Sequence, residues 1–473
     1  MVDAAPAGGR GLEGRANMGF VGAIVAVATI GGFMFGYDSG VINGTQQGLK
    51  EAFHSDNLEQ GLNVGAVLIG CAAGAFLAGS LSDIFGRRNV MIAAAVLFLT
   101  SALGAGAAES SMIFILARMV GGLGVGAASV LAPVYISEVA PAAVRGRLTT
   151  AQQIMIITGL TGSFLVNYLI AQWAGGSTAI IMGHPAWRWM FWVQVIPSAI
   201  FLVSLLAIPE SPRFLVARDR MAEAQAVLAR LFGPAAAPAK VAEIRASLAA
   251  DRHRPRLSDL IDKGRVRRVV WAGVGLAVFQ QLVGINVVFY YGAVLWQSVG
   301  FSEADSLKIN ILSGSLSIVS CLASMAVIDR IGRKPLLLLG SAGMAVSLAL
   351  VAAAFSTATL VNGQAQLPHT AGLVALVAAN VYVVFFNGTW GPVMWVMLGE
   401  MFPNQIRGSS LAVAGFAQWI ANFAIALSFP VAAATVGLAP TYAFYAMSAL
   451  VSFFFVRALV HETRGRELEQ MVG

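Results

Sequence analysis

Between Val278 and Tyr291 the chain reads VFQQLVGINVVFYY, an apolar run that nonetheless carries Gln280, Gln281, Asn286, Tyr290 and Tyr291. Amides and phenols are costly to bury unpaired in hydrocarbon, so something polar has to meet them. They offer donors and acceptors without charge, which suits a neutral ligand with many hydroxyls. On a helix turning about 100° per residue, Gln280 and Gln281 point to one side and Asn286 with Tyr290 to another. A straight helix therefore does not aim all five at one ligand. Gly284 lies between the two groups and can loosen the helix; broken helices at membrane depth are where transporters build substrate sites. The competing reading is helix packing, because Asn and Gln also hydrogen-bond between helices.

A second candidate for chemistry is ionic. Asp38, in GGFMFGYDSGVING, stands about 20 residues into the first apolar run, and Arg118, in ILARMVGG, stands about as deep in the fourth, which runs the opposite way. If those helices are neighbours the two can pair. The arginine stays charged while the aspartate can gain or lose a proton, so protonation of Asp38 could release Arg118 and couple proton entry to a change of shape. A permanent structural pair, or an Asp38 hydrated near the surface, is the alternative. Further polar side chains sit at membrane depth. In LTTAQQIMIITG one of Gln152 and Gln153 is expected to face a cavity. In FNGTWGPVMW, Gly391 and Pro392 are expected to kink the helix beside Trp390 and Trp395, with Trp395 the better placed to stack on an apolar ligand face. In AQWIANF, Gln418 and Asn422 share a face at i and i+4, as ligand contacts or as inter-helix bonds.

These residues need a membrane to sit in. Of 473 residues 58% are hydrophobic and only 11% charged, against about 25% charged in a soluble domain. Runs long enough to span, about 20 residues each, fall near 18–43, 62–82, 89–108, 111–137, 149–173, 188–208, 266–298, 306–328, 335–357, 371–399, 408–430 and 435–458. Small residues spaced as Gly70/Gly74 and Gly122/Gly126 let helices approach closely. The net charge of +7 is concentrated in alternate loops, the positive-inside pattern and not a nucleic-acid footprint. Both termini and the central loop are therefore expected in the cytoplasm. Cys71 and Cys321 both fall in apolar runs, and the five histidines form no metal-ligand spacing. No metal or cofactor is expected, and no nucleophile, base and oxyanion set that would make an enzyme.

The chain also repeats itself. Asp83 precedes Arg87/Arg88 as Asp329 precedes Arg333/Lys334; Glu138 and Arg145 match Glu400 and Arg407; and PESPR, with Glu210 and Arg213, corresponds more weakly to HETRGR, with Glu462. Positive-inside bias explains the bases but not acids at matching places. The acids suggest salt-bridged latches that hold one state closed at the cytoplasmic face. The expected architecture is an all-α membrane protein of twelve helices in two pseudo-symmetric six-helix halves, 1–208 and 266–473, joined by a cytoplasmic helical linker at 209–265.

GYDSGV, SDIFGRR, ARMVGGLGVG, YISEVAP with RGR, PESPR, QQLVGIN, DRIGRKP, GPVMW, GEMFPNQIRG and HETRG together resemble the sugar porter family of the major facilitator superfamily, over nearly the whole chain. The resemblance implies a multi-pass cytoplasmic-membrane protein, a monomer in the lipid bilayer, moving one monosaccharide such as glucose or xylose per cycle by alternating access. It implies sugar contacts at Gln153, Gln280, Gln281, Asn286, Trp395 and Gln418, with Tyr290 and Tyr291 closing over them. It also implies that Asp38 and Arg118 match the coupling pair of proton-linked members, the bacterial xylose and proton symporters being closest in pattern. Ser317 and Leu160 depart from that pattern, standing where a cavity asparagine and a second glutamine are expected. The expected activity is sugar and proton symport. A passive facilitator is the alternative, and a membrane sugar sensor, which would be expected to carry a long cytoplasmic extension, is a more distant one.

Overall fold

The computed structural model describes residues 17–464 apart from 142–143, 251–259, 263–264, 362–363 and 404–405. It holds twelve helices or helix pairs long and apolar enough to cross a membrane. The first six spans are α1 (Met18–Phe53), α2 (Asn57–Phe85), α3 (Arg87–Ala107), α4 (Ser111–Val139), α5 (Arg145–Ala174) and the pair α6 (Ala186–Trp192) with α7 (Val195–Ala207). Three short helices follow, α8 (Pro212–Ala217), α9 (Met221–Phe232) and α10 (Ala237–Ala250). The last six spans are α11 (Arg268–Leu282) with α12 (Ile285–Ser298), α13 (Glu303–Ile331), α14 (Arg333–Phe355), α15 (His369–Phe385) with α16 (Gly391–Met401), α17 (Arg407–Thr435) and α18 (Leu438–Leu459). The only strands among the described residues are three small hairpins in loops.

Backbones touch where glycines repeat at four-residue spacing. A Cβ on Gly36 would lie 1.8 Å from the Ile156 carbonyl oxygen, and one on Gly122 would lie 2.0 Å from that of Val67, so α1 is bound to α5 and α2 to α4 at a distance no larger residue permits. The first helix runs ten residues beyond the expected end of the first span. That extension is hydrophilic at its start, yet Thr45 and Gln46, like Asn43 at the end of the expected span, are buried, their amides and hydroxyl bonded.

The two ends of the bundle differ. Away from the basic loops, a Cβ on Gly61 of α2 would lie 2.4 Å from the Leu427 carbonyl of α17, and Gly65 sits against Phe423. Five helical turns further along the same face of α2, Gly79 has no atom within 4 Å of its Cβ position. On α17, two turns from Phe423 along the same face, Phe416 is 54% exposed. The two six-helix groups are thus packed at the end opposite the basic loops and parted at the basic end.

At the basic end the internal repeat becomes geometry. Glu210 Oε1 accepts the backbone N–H groups of Arg87 and Arg88 at 3.0 and 3.1 Å; Glu462 accepts those of Arg333 and Lys334 at 3.1 and 2.9 Å. Each glutamate caps the first turn of a helix, α3 or α14, that follows a glycine at φ +99° or +100°. Arg87 pairs with Asp83 at 3.0 Å and Glu138 at 3.2 Å; Arg333 pairs with Asp329 at 2.9 Å and Glu400 at 2.8 Å. Ser211 donates its hydroxyl to Glu138, and Thr463 does the same to Glu400. The acid of each loop, Glu138 or Glu400, is held by the arginine that follows an earlier span. Arg407 donates to the Phe402 carbonyl, and the side chain of Arg145 lies outside the described residues. The weakest sequence match, PESPR with HETRG, is the closest structural one. Each of these ion pairs ties together helices of one six-helix group, clamping that group to itself. Arg88 adds bonds to the Leu205 and Leu206 carbonyls, and Arg213 stands close enough to Glu138 to act on it through space.

Candidate functional site

The run that opens the second half is broken as its glycine suggested. Helix α11 stops at Leu282, Gly284 adopts φ +80°, and α12 restarts at Ile285. Tyr382 Oη donates to the freed Val283 carbonyl at 2.7 Å, satisfying the break. A second break faces it: residues Phe386–Trp390 form a π-turn before Gly391 and Pro392, and the carbonyls of Trp390 and Gly391 accept from Gln280 Nε2 at 3.2 and 3.4 Å.

The break brings together groups that a straight helix would separate. Asn286 Nδ2 donates to Gln281 Oε1 at 2.6 Å, Gln281 Nε2 to Gln280 Oε1 at 3.2 Å, and Gln418 Nε2 to the same Gln280 oxygen at 2.6 Å. Four amides on three helical segments therefore form one hydrogen-bonded chain, nearly closed off from solvent at Gln280, Gln281 and Gln418. An amide chain is well suited to a polyhydroxylated neutral ligand, because each carboxamide can exchange an amide partner for a hydroxyl of either polarity. Tyr290 continues the cluster, its hydroxyl meeting Asn422 Nδ2 at 3.4 Å and Ser39 of α1. Tyr291 is turned elsewhere, donating to the Ala426 carbonyl at 2.7 Å and packing on Phe429. The two candidate tryptophans also separate. Trp390 is fully buried and donates to the Leu337 carbonyl and Ser341, whereas Trp395 is 40% exposed. One turn on from Trp395, Gly399 faces open space. Of the two glutamines of α5, Gln152 is wedged against Gly32 of α1, with both polar atoms buried and unpartnered. Gln153 is half-buried, between the α1 face and the face that Thr161 presents to Gly314 of α13.

Asp38 and Arg118 meet. Arg118 Nη1 lies 2.8 Å from Asp38 Oδ1, and Nη2 donates to the Asp38 carbonyl at 2.9 Å. Both side chains are buried to within 1%, which removes the reading of a hydrated surface aspartate. Asp38 Oδ2 is buried with no protein partner.

Three contributors escaped sequence reasoning. Gln194 at the start of α7 donates Nε2 to Asp38 Oδ1 at 2.9 Å; nothing in its local sequence points 156 residues back. Asn387, in the π-turn, donates to Ser317 at 3.0 Å, so the asparagine expected at position 317 is supplied from the neighbouring helix. Asn43 bonds Phe289 O at 2.8 Å, Ala293 N at 3.1 Å and Asn310 Nδ2 at 2.7 Å, joining the two six-helix groups at their packed end. The four-residue glycine spacing through Gly40 and Gly44 was the available signal that the helix carrying it continues. Among the described residues no group of three metal-binding side chains forms.

Residues 24–472 match the family described as "Sugar (and other) transporter". The chain is 48% identical over 462 residues to the glucose transport protein of Synechocystis sp., covering 97% of this chain and 98% of that protein. It is 36% identical over 487 residues to the D-xylose-proton symporter of Escherichia coli, covering 96% of each. Among solved structures, the inward-open conformation of the xylose transporter XylE from E. coli superposes with a TM-score of 0.82 at 34% identity, covering 96% of this chain and 99% of that one. With its twelve spans, its paired helix breaks and these relatives, the chain belongs to the sugar porter family of the major facilitator superfamily and is a multi-pass membrane transporter of sugars.

Proposed function

We propose that this protein is a monosaccharide and proton symporter of the cytoplasmic membrane, working by alternating access as a monomer, with glucose and xylose the first candidates as substrate. The observation that carries the reading is the amide chain Asn286, Gln281, Gln280 and Gln418 at the helix break, together with a fully buried Asp38–Arg118 pair in the same protein. The names of the relatives from Synechocystis and E. coli support the sugar class. In this reading sugar hydroxyls replace amide partners at Gln280, Gln281, Asn286, Gln418 and Gln153, Trp395 stacks on the ring, and Tyr290 and Tyr291 move with α12 to close the site. The basic end is cytoplasmic by the positive-inside rule, with both termini and the linker. The parted basic end then corresponds to access from the cytoplasm. The acid–base clusters of Asp83, Arg87, Arg88, Glu138, Arg145, Glu210 and Arg213, and of Asp329, Arg333, Glu400, Arg407 and Glu462, act as gate elements that stiffen each half as it rocks.

Coupling follows from the pair. A proton has an unengaged oxygen to add to, Asp38 Oδ2. Once neutral, the acid holds Arg118 by hydrogen bonds without full charge attraction, which loosens α1 from α4. A passive facilitator is the second reading, and Gln194 favours it: its amide, with Arg118, puts a second donor on Asp38 Oδ1 and holds the pair as a fixed structural unit.

Uptake of labelled glucose and xylose into proteoliposomes, with and without an inward proton gradient, separates these readings. Wild type should accumulate sugar above equilibrium when the gradient is applied, Asp38→Asn should only equilibrate it, and Gln281→Ala should lose uptake in both conditions. Wild-type uptake that merely equilibrates whatever the gradient would make the protein a facilitator.

A further inference from the structure

The packed end is closed by two layers of contact. The deeper one is the uncharged set around Asn43. The second lies at the periphery and contains a carboxylate. Helix α5 ends in a glycine cap: the N–H groups of Gly175 and Gly176 both return to the Ala171 carbonyl, at 2.9 and 2.8 Å. That leaves the N–H of Ser177 pointing out of the first six-helix group, and Glu303 Oε1 of the second group accepts it at 3.0 Å. Ser177 is 1% exposed, and its own carbonyl is held by the N–H of Trp187, so the donor is fixed from behind. Glu303 is the first residue of α13, after the Ser302 N-cap, where a negative side chain is favoured by the helix N-terminus. The other carboxylate oxygen, Oε2, comes within 3.3 Å of the Cβ position of Gly176, whose φ of +146° is open to glycine and strained for other residues. The turn is therefore shaped to let a carboxylate in.

We infer that Glu303 is a latch residue: its carboxylate, seated on the Ser177 N–H beside Gly176, stabilises the conformation closed at the non-basic end and has to release each time that end opens. The contact joins α5 and α13, which also meet mid-bundle at Thr161 and Gly314. If the groups rock about that central contact, separation is largest at the ends, so a bond placed there biases the equilibrium without touching substrate. This rests on the alternating-access reading.

The test is a distance distribution across the packed end in proteoliposomes. Spin labels at Leu58→Cys on α2 and Val436→Cys after α17 report it; those positions are 51% and 60% exposed, and the native Cys71 and Cys321 are buried and out of reach of label. Glu303→Ala should raise the open-to-closed ratio about tenfold, or about 1.4 kcal/mol. Glu303→Gln, which keeps a carbonyl acceptor, should move it less. Gly176→Ala, acting from the other group, should reproduce Glu303→Ala. Ser302→Ala removes the α13 cap at Asp305 N, 3.1 Å, without touching Ser177, and should leave the ratio unchanged. Equal distributions for wild type and Glu303→Ala overturn the latch. So does an opening by Ser302→Ala as large as that by Glu303→Ala, since fraying of α13 would then explain both. Sugar uptake by the unlabelled wild type is measured separately: its absence sinks the transport reading, while a null distance result with normal uptake sinks only the latch.

Discussion

Gln194 and Arg118 hold the same atom: both donate to Asp38 Oδ1, at 2.9 and 2.8 Å, Arg118 from α4 and Gln194 from the start of α7. The carboxylate is thus stabilised by one charge and one neutral amide. Converting the amide to an acid places two carboxyls within hydrogen-bond reach of each other beside one guanidinium, and like charges at that distance share a proton. Gln194→Glu should steepen the dependence of uptake on external pH, whereas Gln194→Ala, which removes one donor from a buried carboxylate, should slow uptake about tenfold, the effect of about 1.5 kcal/mol. Uptake rates across a pH series measure both. A Gln194→Glu profile that overlays wild type would remove Gln194 from the coupling machinery.

The ion pair behind it makes a stability prediction. Breaking a buried pair by removing one partner costs about 3–5 kcal/mol, because the other charge is left uncompensated. Arg118→Leu should therefore lower the unfolding temperature in detergent sharply. The double variant Asp38→Asn with Arg118→Leu should recover part of that loss, since contacting residues are not additive. Additive losses in thermal unfolding would mean that the two charges do not depend on each other in the folded protein.

How far the sequence reached can be judged from these same residues. All twelve spans, the break at Gly284 and the Asp38–Arg118 pair were legible, because hydropathy, glycine and intramembrane charge are local signals. Pairing across the bundle was legible only when two residues were each conspicuous alone. Arg118 was; Gln194, one polar residue after an aromatic run, was not, and Asn43 was hidden because an amide at the very end of an expected span does not stand out. The acid–base clusters show a different limit. Repetition identified the residues, but the partner of Glu138 depends on which helices cross, and Arg87 reaches it from another loop.

The break itself is testable. Gly284 sits at φ +80°, and a Cβ there would lie 2.7 Å from Cδ2 of the buried Tyr445 ring. A non-glycine residue in the left-handed region costs about 1–2 kcal/mol before any clash, and the backbone has to shift to relieve the contact. That shift moves Asn286 off Gln281. Gly284→Ala should therefore lose sugar binding at least tenfold, read as sugar-induced quenching of tryptophan fluorescence. The spectrum should still show a folded, membrane-inserted helix bundle. Wild-type affinity in Gly284→Ala would mean that the amide chain does not need the break.

Glu462 gives a pH dependence of known sign. Burial pushes its carboxyl up, but the backbone N–H groups of Arg464, Arg333, Lys334 and Thr463 outweigh that and hold it below the usual carboxylate value. A group whose folded pKa lies below its unfolded one contributes stability that is complete above the unfolded value, about 4.3 for Glu, and that drains away as pH falls through the folded value. Glu462→Gln keeps the shape but has nothing to titrate, and at neutral pH it should cost about 0.5–1 kcal/mol, the worth of a negative charge at a helix N-terminus. Unfolding midpoints of the two proteins should then differ at about pH 6 and draw together as pH falls below the unfolded carboxylate value and through the folded one. A gap that stays constant across that range would place the stabilising effect of Glu462 in its shape and hydrogen bonds alone, with no part for its charge.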